Sequence, residues 1–236
     1  MGGLGAGWMS AWPGFRAPVT GAPYSGLETT QIQRKLEDGN QISREEQAKV
    51  YRDSQGRVRM ENTGTNPQTG KSRTVITIFD PVAGYSYVLN PQTKTAWKRP
   101  LPPAGSRPGQ GMGMGPGRRA ANQGKTEDLG TQTINGLAAT GTRVTTTIPA
   151  GSVGNQQAIV ITRETWISTA LKVPVQIKTS DPRFGSSSVQ LTGVVQSEPD
   201  AALFQVPSDY TLTEGAGRGR GAMNRGAMRQ RFGRKI

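Results

Sequence analysis

Short stretches of residues 41–98 alternate between apolar and polar side chains, the period of a half-buried β-strand. In Arg57-Val58-Arg59-Met60-Glu61, Val58 and Met60 fall on one side and the charges on the other. The turn-forming run Asp53-Ser54-Gln55-Gly56 precedes it, so 41–52 and 57–62 read as a hairpin. Thr74–Phe79 is the next strand, followed by the turn Asp80-Pro81-Val82-Ala83-Gly84. Tyr85, Tyr87 and Leu89 then mark one face of a strand, and Asn90-Pro91-Gln92 turns the chain into 94–98, which carries Trp97. The expected product is a meander of strands joined by short Pro, Gly and Asn turns.

Residues 126–214 repeat this style. Asn135-Gly136 is a strong hairpin signal, because both residues tolerate the positive φ that a tight turn between twisted strands requires. It joins 127–134 to 137–148. Residues 158–167 place Ile159 and Ile161 opposite Val160 and Trp166. A turn near 168–172 leads to Val173, Val175 and Ile177, and the connector 180–185 to Val189, Leu191 and Val195. Only 198–204 reads as a short helical turn. Helix could be accommodated in 26–40, but the Thr29-Thr30 pair favours strand. About ten strands with almost no helix imply antiparallel β rather than α/β.

Charge divides the chain differently. The net charge is +13, yet 99–125 and 215–236 hold five and seven Lys or Arg and no acid. The rest is almost neutral. Both segments are rich in Gly, and 99–125 also in Pro, so neither can bury a core. The expected organisation is a flexible arm 1–26, one β-rich domain 27–214 interrupted by a disordered insertion 99–125, and a disordered Arg/Gly tail 215–236.

Several chemistries are excluded or disfavoured. The chain has no Cys and no His, so disulfides, thiolate metal sites, thiol nucleophiles and imidazole bases are absent. No cofactor or metal site has recognisable spacing. Gly64–Ser72 imitates a phosphate-binding loop but has five residues between its glycines and precedes a strand where a helix would have to start. Glu45-Glu46 and Glu127-Asp128 are sequence neighbours, which on a strand point to opposite faces. A hydrolase would need two converging carboxylates. No run spans a bilayer, and the N-terminus does not read as a signal peptide.

Five stretches resemble a family of small secreted bacterial proteins: 48–57 (Ala-Lys-Val-Tyr-Arg-Asp-Ser-Gln-Gly-Arg), 78–85 (Ile-Phe-Asp-Pro-Val-Ala-Gly-Tyr), 126–130, 146–151 and 203–210 (Leu-Phe-Gln-Val-Pro-Ser-Asp-Tyr). More distantly, the order of parts is similar to the outer-membrane lipoprotein carriers of the LolA/LolB-like fold. That likeness implies a single curved antiparallel sheet, or incomplete barrel, whose concave face holds acyl chains. It also implies a periplasmic or extracellular setting. Long helices capping the cavity, which that fold carries, are not evident here.

Two kinds of binding residue follow. Tyr51, Tyr85, Tyr87, Trp97 and Trp166 either pack the core or line an apolar trough able to hold a lipid, a lipoprotein acyl chain or another apolar ligand. Arg218, Arg220, Arg225, Arg229, Arg231, Arg234 and Lys235 either solvate the tail or hold a polyanion, with affinity that falls as salt rises. Trp8, Met9, Trp12 and Phe15 either anchor the arm at a membrane interface or groove, or fold back on the sheet. The expected function is a non-enzymatic exported binding protein, with an adaptor for polyanions or nucleic acid as the alternative.

Overall fold

The computed structural model describes residues 18–65, 69–101 and 124–215. They form twelve strands: β1 (Tyr24–Lys35), β2 (Gln41–Arg52), β3 (Val58–Thr65), β4 (Ser72–Asp80), β5 (Tyr85–Asn90), β6 (Thr95–Pro100), β7 (Lys125–Ile134), β8 (Leu137–Ile148), β9 (Ile159–Ser168), β10 (Pro174–Asp181), β11 (Gly185–Val195) and β12 (Thr211–Glu214). A single turn of 3-10 helix, Ala201–Phe204, is capped by the Asp200 carboxylate, which accepts from the Ala202 amide.

The strands make one sheet in the order β12-β6-β5-β4-β3-β2-β1-β11-β10-β9-β8-β7. Two meanders, β1–β6 and β7–β11, thus run outward in opposite directions from a central antiparallel pairing of β1 with β11. The sheet does not close, because β7 and β12 are left as its edges. Two strands exceed the expected ten. One lies in 26–40, where the Thr-rich stretch is indeed strand, and the other is β12, which pairs parallel to β6. Ordered structure also reaches past the expected boundaries: β1 starts at Tyr24, which pairs with Arg52, and Arg99 still pairs with Ser86.

Local sequence explains the turns. Asn135 and Gly136 have φ of +50° and +80°, the left-handed pair that a two-residue hairpin needs. Gly141 has a different role: a Cβ there would come within 2.5 Å of the Trp166 ring, so only glycine lets the indole lie flat on β8.

One end of the sheet is apolar. Tyr24, Val50, Val58, Met60 and Phe79 of the first meander join Ile134, Leu137, Ala139, Trp166 and Leu191 of the second in one buried cluster, with Leu171 and Val173 from the β9–β10 turn. A flat sheet could not make the polar contacts found here. Asn135 Nδ2 donates to the Leu191 carbonyl oxygen at 2.9 Å, across β9 and β10. Arg52 Nη2 in β2 donates to the Leu171 carbonyl oxygen at 2.6 Å, across β1 and β11. The sheet therefore curls at this end.

A second cluster, Ile76, Ile78, Leu89 and Ala96, is covered by Val206 and Tyr210 of the segment that follows the 3-10 turn. Arg59 Nη1 holds this segment by donating to the Leu203 carbonyl oxygen at 2.8 Å, and the Phe204 ring lies under the Arg57 guanidinium.

Candidate functional site: one apolar face and one polar face

Pairing register decides which side chains share a face, because neighbours directly opposite each other point the same way. Trp97 pairs with Val88, Val88 with Thr77, Thr77 with Met60, Met60 with Val50, and Val50 with Gly26. That is one row across six strands. Through Glu28 paired with Leu191 the same face continues onto β11 as Val189 and Leu191, then Ile177 on β10, Ile161 and Ile159 on β9, and Ile148 and Val144 on β8. Every strand from β6 to β8 puts apolar side chains on this face, interleaved on its far half with Thr30, Ser187, Thr179, Arg163, Thr165 and Thr142. At the apolar end it is fully buried; further along, Ile32, Val144, Ile148, Ile159, Ile161 and Val189 are only half-buried.

Polar groups punctuate it. Glu28 is 4% exposed between Ala48 and Leu191. Arg44 and Glu46 form an ion pair nearer the far end. Arg52 is buried, with Nε and Nη2 both donating to the Ala22 carbonyl oxygen and its guanidinium lying 4.8 Å from the centre of the Tyr24 ring. Burial pushes the Tyr24 hydroxyl far above its ordinary range, an effect the neighbouring Arg52 charge partly opposes.

The opposite face has two halves. On β3–β6 it is the apolar patch capped by the C-terminal segment. On β9, β10, β11 and β1 it is polar: Thr162 and Glu164, Lys178 and Ser180, Ser186, Ser188 and Gln190, and Gln31 and Gln33 border a groove of about 350 Å³. Register places all nine on this face, since Lys178 pairs with both Glu164 and Ser188, and Gln31 with Ser188.

The five aromatics expected either to pack the core or to line a trough do not share one face. Trp97 is on the apolar face, at its β6 margin and 39% exposed. Tyr51, Tyr85, Tyr87 and Trp166 fall on the opposite face by register, paired with Arg59, Asp80, Ile78 and Gly141. Tyr87 packs against the second cluster, and Tyr85 lies under the Lys98 ammonium at 4.0 Å. Trp166 is buried in the main cluster. The apolar side chains on the far half of this face are Ile and Val rather than large aromatic rings. The phase of Ile159 and Ile161 was legible; that it matches Ile177, Val189 and Ile32 required the register.

Arg218, Arg220, Arg225, Arg229, Arg231, Arg234 and Lys235, and the arm residues Trp8, Met9, Trp12 and Phe15, lie outside the described residues. Gly64 and Ser72 flank a link between two strands, not a strand and a helix. Among the described residues no three His, Cys, Asp or Glu converge as a metal site. No described helix is long and apolar enough to cross a membrane. Among the described carboxylates, Asp53 is ion-paired with Arg57 and Glu164 with Arg143.

No family model matches the chain, and no curated protein matches it. Among solved structures it is similar to the Pseudomonas aeruginosa MucA/MucB complex, with 12% identity, a TM-score of 0.46 and 85% of this chain covered. This chain spans 60% of the matched chain there. It is also similar to the Mycobacterium tuberculosis lipoprotein LppX, with 14% identity and a TM-score of 0.33 over 76% of this chain and 90% of that one. For a LolA superfamily protein from Nitrosomonas europaea the identity is 8% and the TM-score 0.34, over 81% and 94%. These are distant likenesses of fold, to proteins that include the LolA superfamily; what those proteins bind is a property of theirs.

Proposed function

We propose that this protein is a non-enzymatic binding protein that holds an acyl chain or a similarly apolar ligand against the face carrying Ile161, Ile177, Val189 and Ile32. The observation behind the reading is that apolar side chains recur on one face of every strand from β8 to β6, and that Ile32, Ile161 and Val189 on its far half are only partly buried. Covering such a surface gains about 25 cal/mol per Å² of apolar area. An alkyl chain matches the aliphatic side chains of Ile161, Ile177, Val189 and Ile32 on this face. A cell-envelope setting goes with this reading, as lipid transfer between membranes needs a water-soluble holder.

Titration with a fluorescent fatty acid tests it. Saturable binding is expected, weakened about tenfold or more, the equivalent of at least about 1.4 kcal/mol, by Val189→Asp or Ile161→Asp. Circular dichroism distinguishes loss of the site from loss of the fold. Absence of saturable binding, or equal binding by folded face variants, would remove the proposal.

A further inference from the structure

The apolar face leaves the groove on the other side of β9, β10, β11 and β1 without a role, and its chemistry is of another kind. Gln31, Gln33 and Gln190 contribute carboxamides; Ser180, Ser186, Ser188 and Thr162 contribute hydroxyls. Each such group both donates and accepts hydrogen bonds. Gln31 Nε2 donates to Glu45 Oε2 at 3.1 Å, while Gln33, Gln190 and the three serines make no side-chain hydrogen bond to another described residue.

Charge is balanced around them. Lys178 is the cation in the groove; Glu164 is the anion, and Arg143 neutralises it through bonds of 2.9 and 2.6 Å. Glu127 also lies near Arg143. With Lys125 beside Glu127 and Glu45 beside Gln31, cations and anions around the groove are equal in number, which is not the one-sign surface that holds a polyion. Its volume of about 350 Å³ sits at the small end of ligand sites, roughly 300–1,000 Å³, but an apolar ligand would strand its amides and hydroxyls without partners.

We propose that this groove is a second binding site, for a neutral polyhydroxylated ligand, specifically a short saccharide. The four strands present their side chains in two-residue steps of about 6.6–6.8 Å, so consecutive hydroxyl-bearing units of an oligosaccharide can each meet an amide or a hydroxyl. Hydrogen bonds formed in exchange for water contribute modestly, so affinity is low and depends on several contacts at once.

Titrating the full ¹⁵N-labelled chain with maltotetraose and with tetra-N-acetylchitotetraose tests this. Saturable shifts should arise around Thr162 and Glu164, Lys178–Ser180, Ser186–Gln190 and Gln31–Gln33 for at least one of the two, unchanged between low and moderate salt. Gln33→Ala and Gln190→Ala should each weaken binding roughly threefold to tenfold, the loss of about one hydrogen bond. Ser188→Arg, which fills the groove, should abolish binding while the spectrum stays that of a folded protein. Fatty-acid binding should be unaffected by all three variants, so the two sites fail or succeed separately. No shifts with either sugar, shifts located elsewhere, or binding that survives Ser188→Arg would overturn the proposal.

Discussion

Arg52 of β2 and Leu171 of the β9–β10 turn meet through a 2.6 Å hydrogen bond from Nη2 to the carbonyl oxygen. This bond ties the two meanders together at a point where neither is adjacent to the other in the sheet. The same guanidinium holds the Ala22 carbonyl oxygen, so one buried side chain fixes the entry to β1 and the curl of the sheet. Replacing it strands two carbonyl oxygens and opens space beside Tyr24. Arg52→Ala should cost about 3 kcal/mol, read from urea unfolding; a cost below 1 kcal/mol would mean the curl is held elsewhere.

Tyr24 gives a pH test. Its hydroxyl is buried with no hydrogen-bond partner among the described residues, and its folded pKa is raised far above the ordinary 10.0, chiefly by desolvation. A raised pKa means that the native state keeps the proton after the unfolded chain has lost it. Its contribution is therefore complete below pH 10 and declines as pH rises above that value. Tyr24→Phe removes an unpartnered hydroxyl but keeps the ring under Arg52. It should leave stability at neutral pH unchanged or higher, and lessen the alkaline loss measured by denaturant titration across pH 9–11.

Gly141 and Trp166 predict a steric effect. Gly141→Ala sets a methyl carbon 2.5 Å from the indole and should destabilise by about 1–3 kcal/mol, with a shifted Trp emission. Gly64→Ala, where nothing lies within 4 Å of the new carbon, is the control and should change stability little. Equal effects at both positions would contradict close packing of Trp166 on β8.

Polyanion affinity, proposed from the Arg/Gly tail, should reside in that tail. Deleting 216–236 removes seven positive charges and lowers the net charge from +13 to +6. Retention on immobilised heparin should then fall, and its dependence on log salt should flatten. Unchanged retention would place the affinity elsewhere in the chain.

Much of this architecture is legible in the residues. Asn135-Gly136, Asp53-Ser54-Gln55-Gly56 and Asp80–Gly84 each encode a turn by local sterics, and the turns delimit the strands. The closing Leu203-Phe204 segment is equally local. Long-range pairing is not. The meeting of β1 with β11, which makes one sheet of two meanders, depends on pairs such as Thr30 with Val189 that no local pattern announces. Binding-face membership is lost for the same reason: alternation tells Tyr85 and Tyr87 apart from Val88, but only pairing tells which of the two sets joins Met60 and Val50. β12 was unreadable because Thr-Leu-Thr-Glu is too short to carry a period and becomes a strand by docking on β6.

The acyl-binding face is tested most directly with a fatty acid carrying a nitroxide, added to methyl-labelled protein. Saturable broadening should reach the methyls of Ile161, Ile177, Val189 and Ile32 and spare those of Ile76 and Ile78 beneath the C-terminal segment. Broadening that favours the latter pair, or none that saturates, would contradict the assignment.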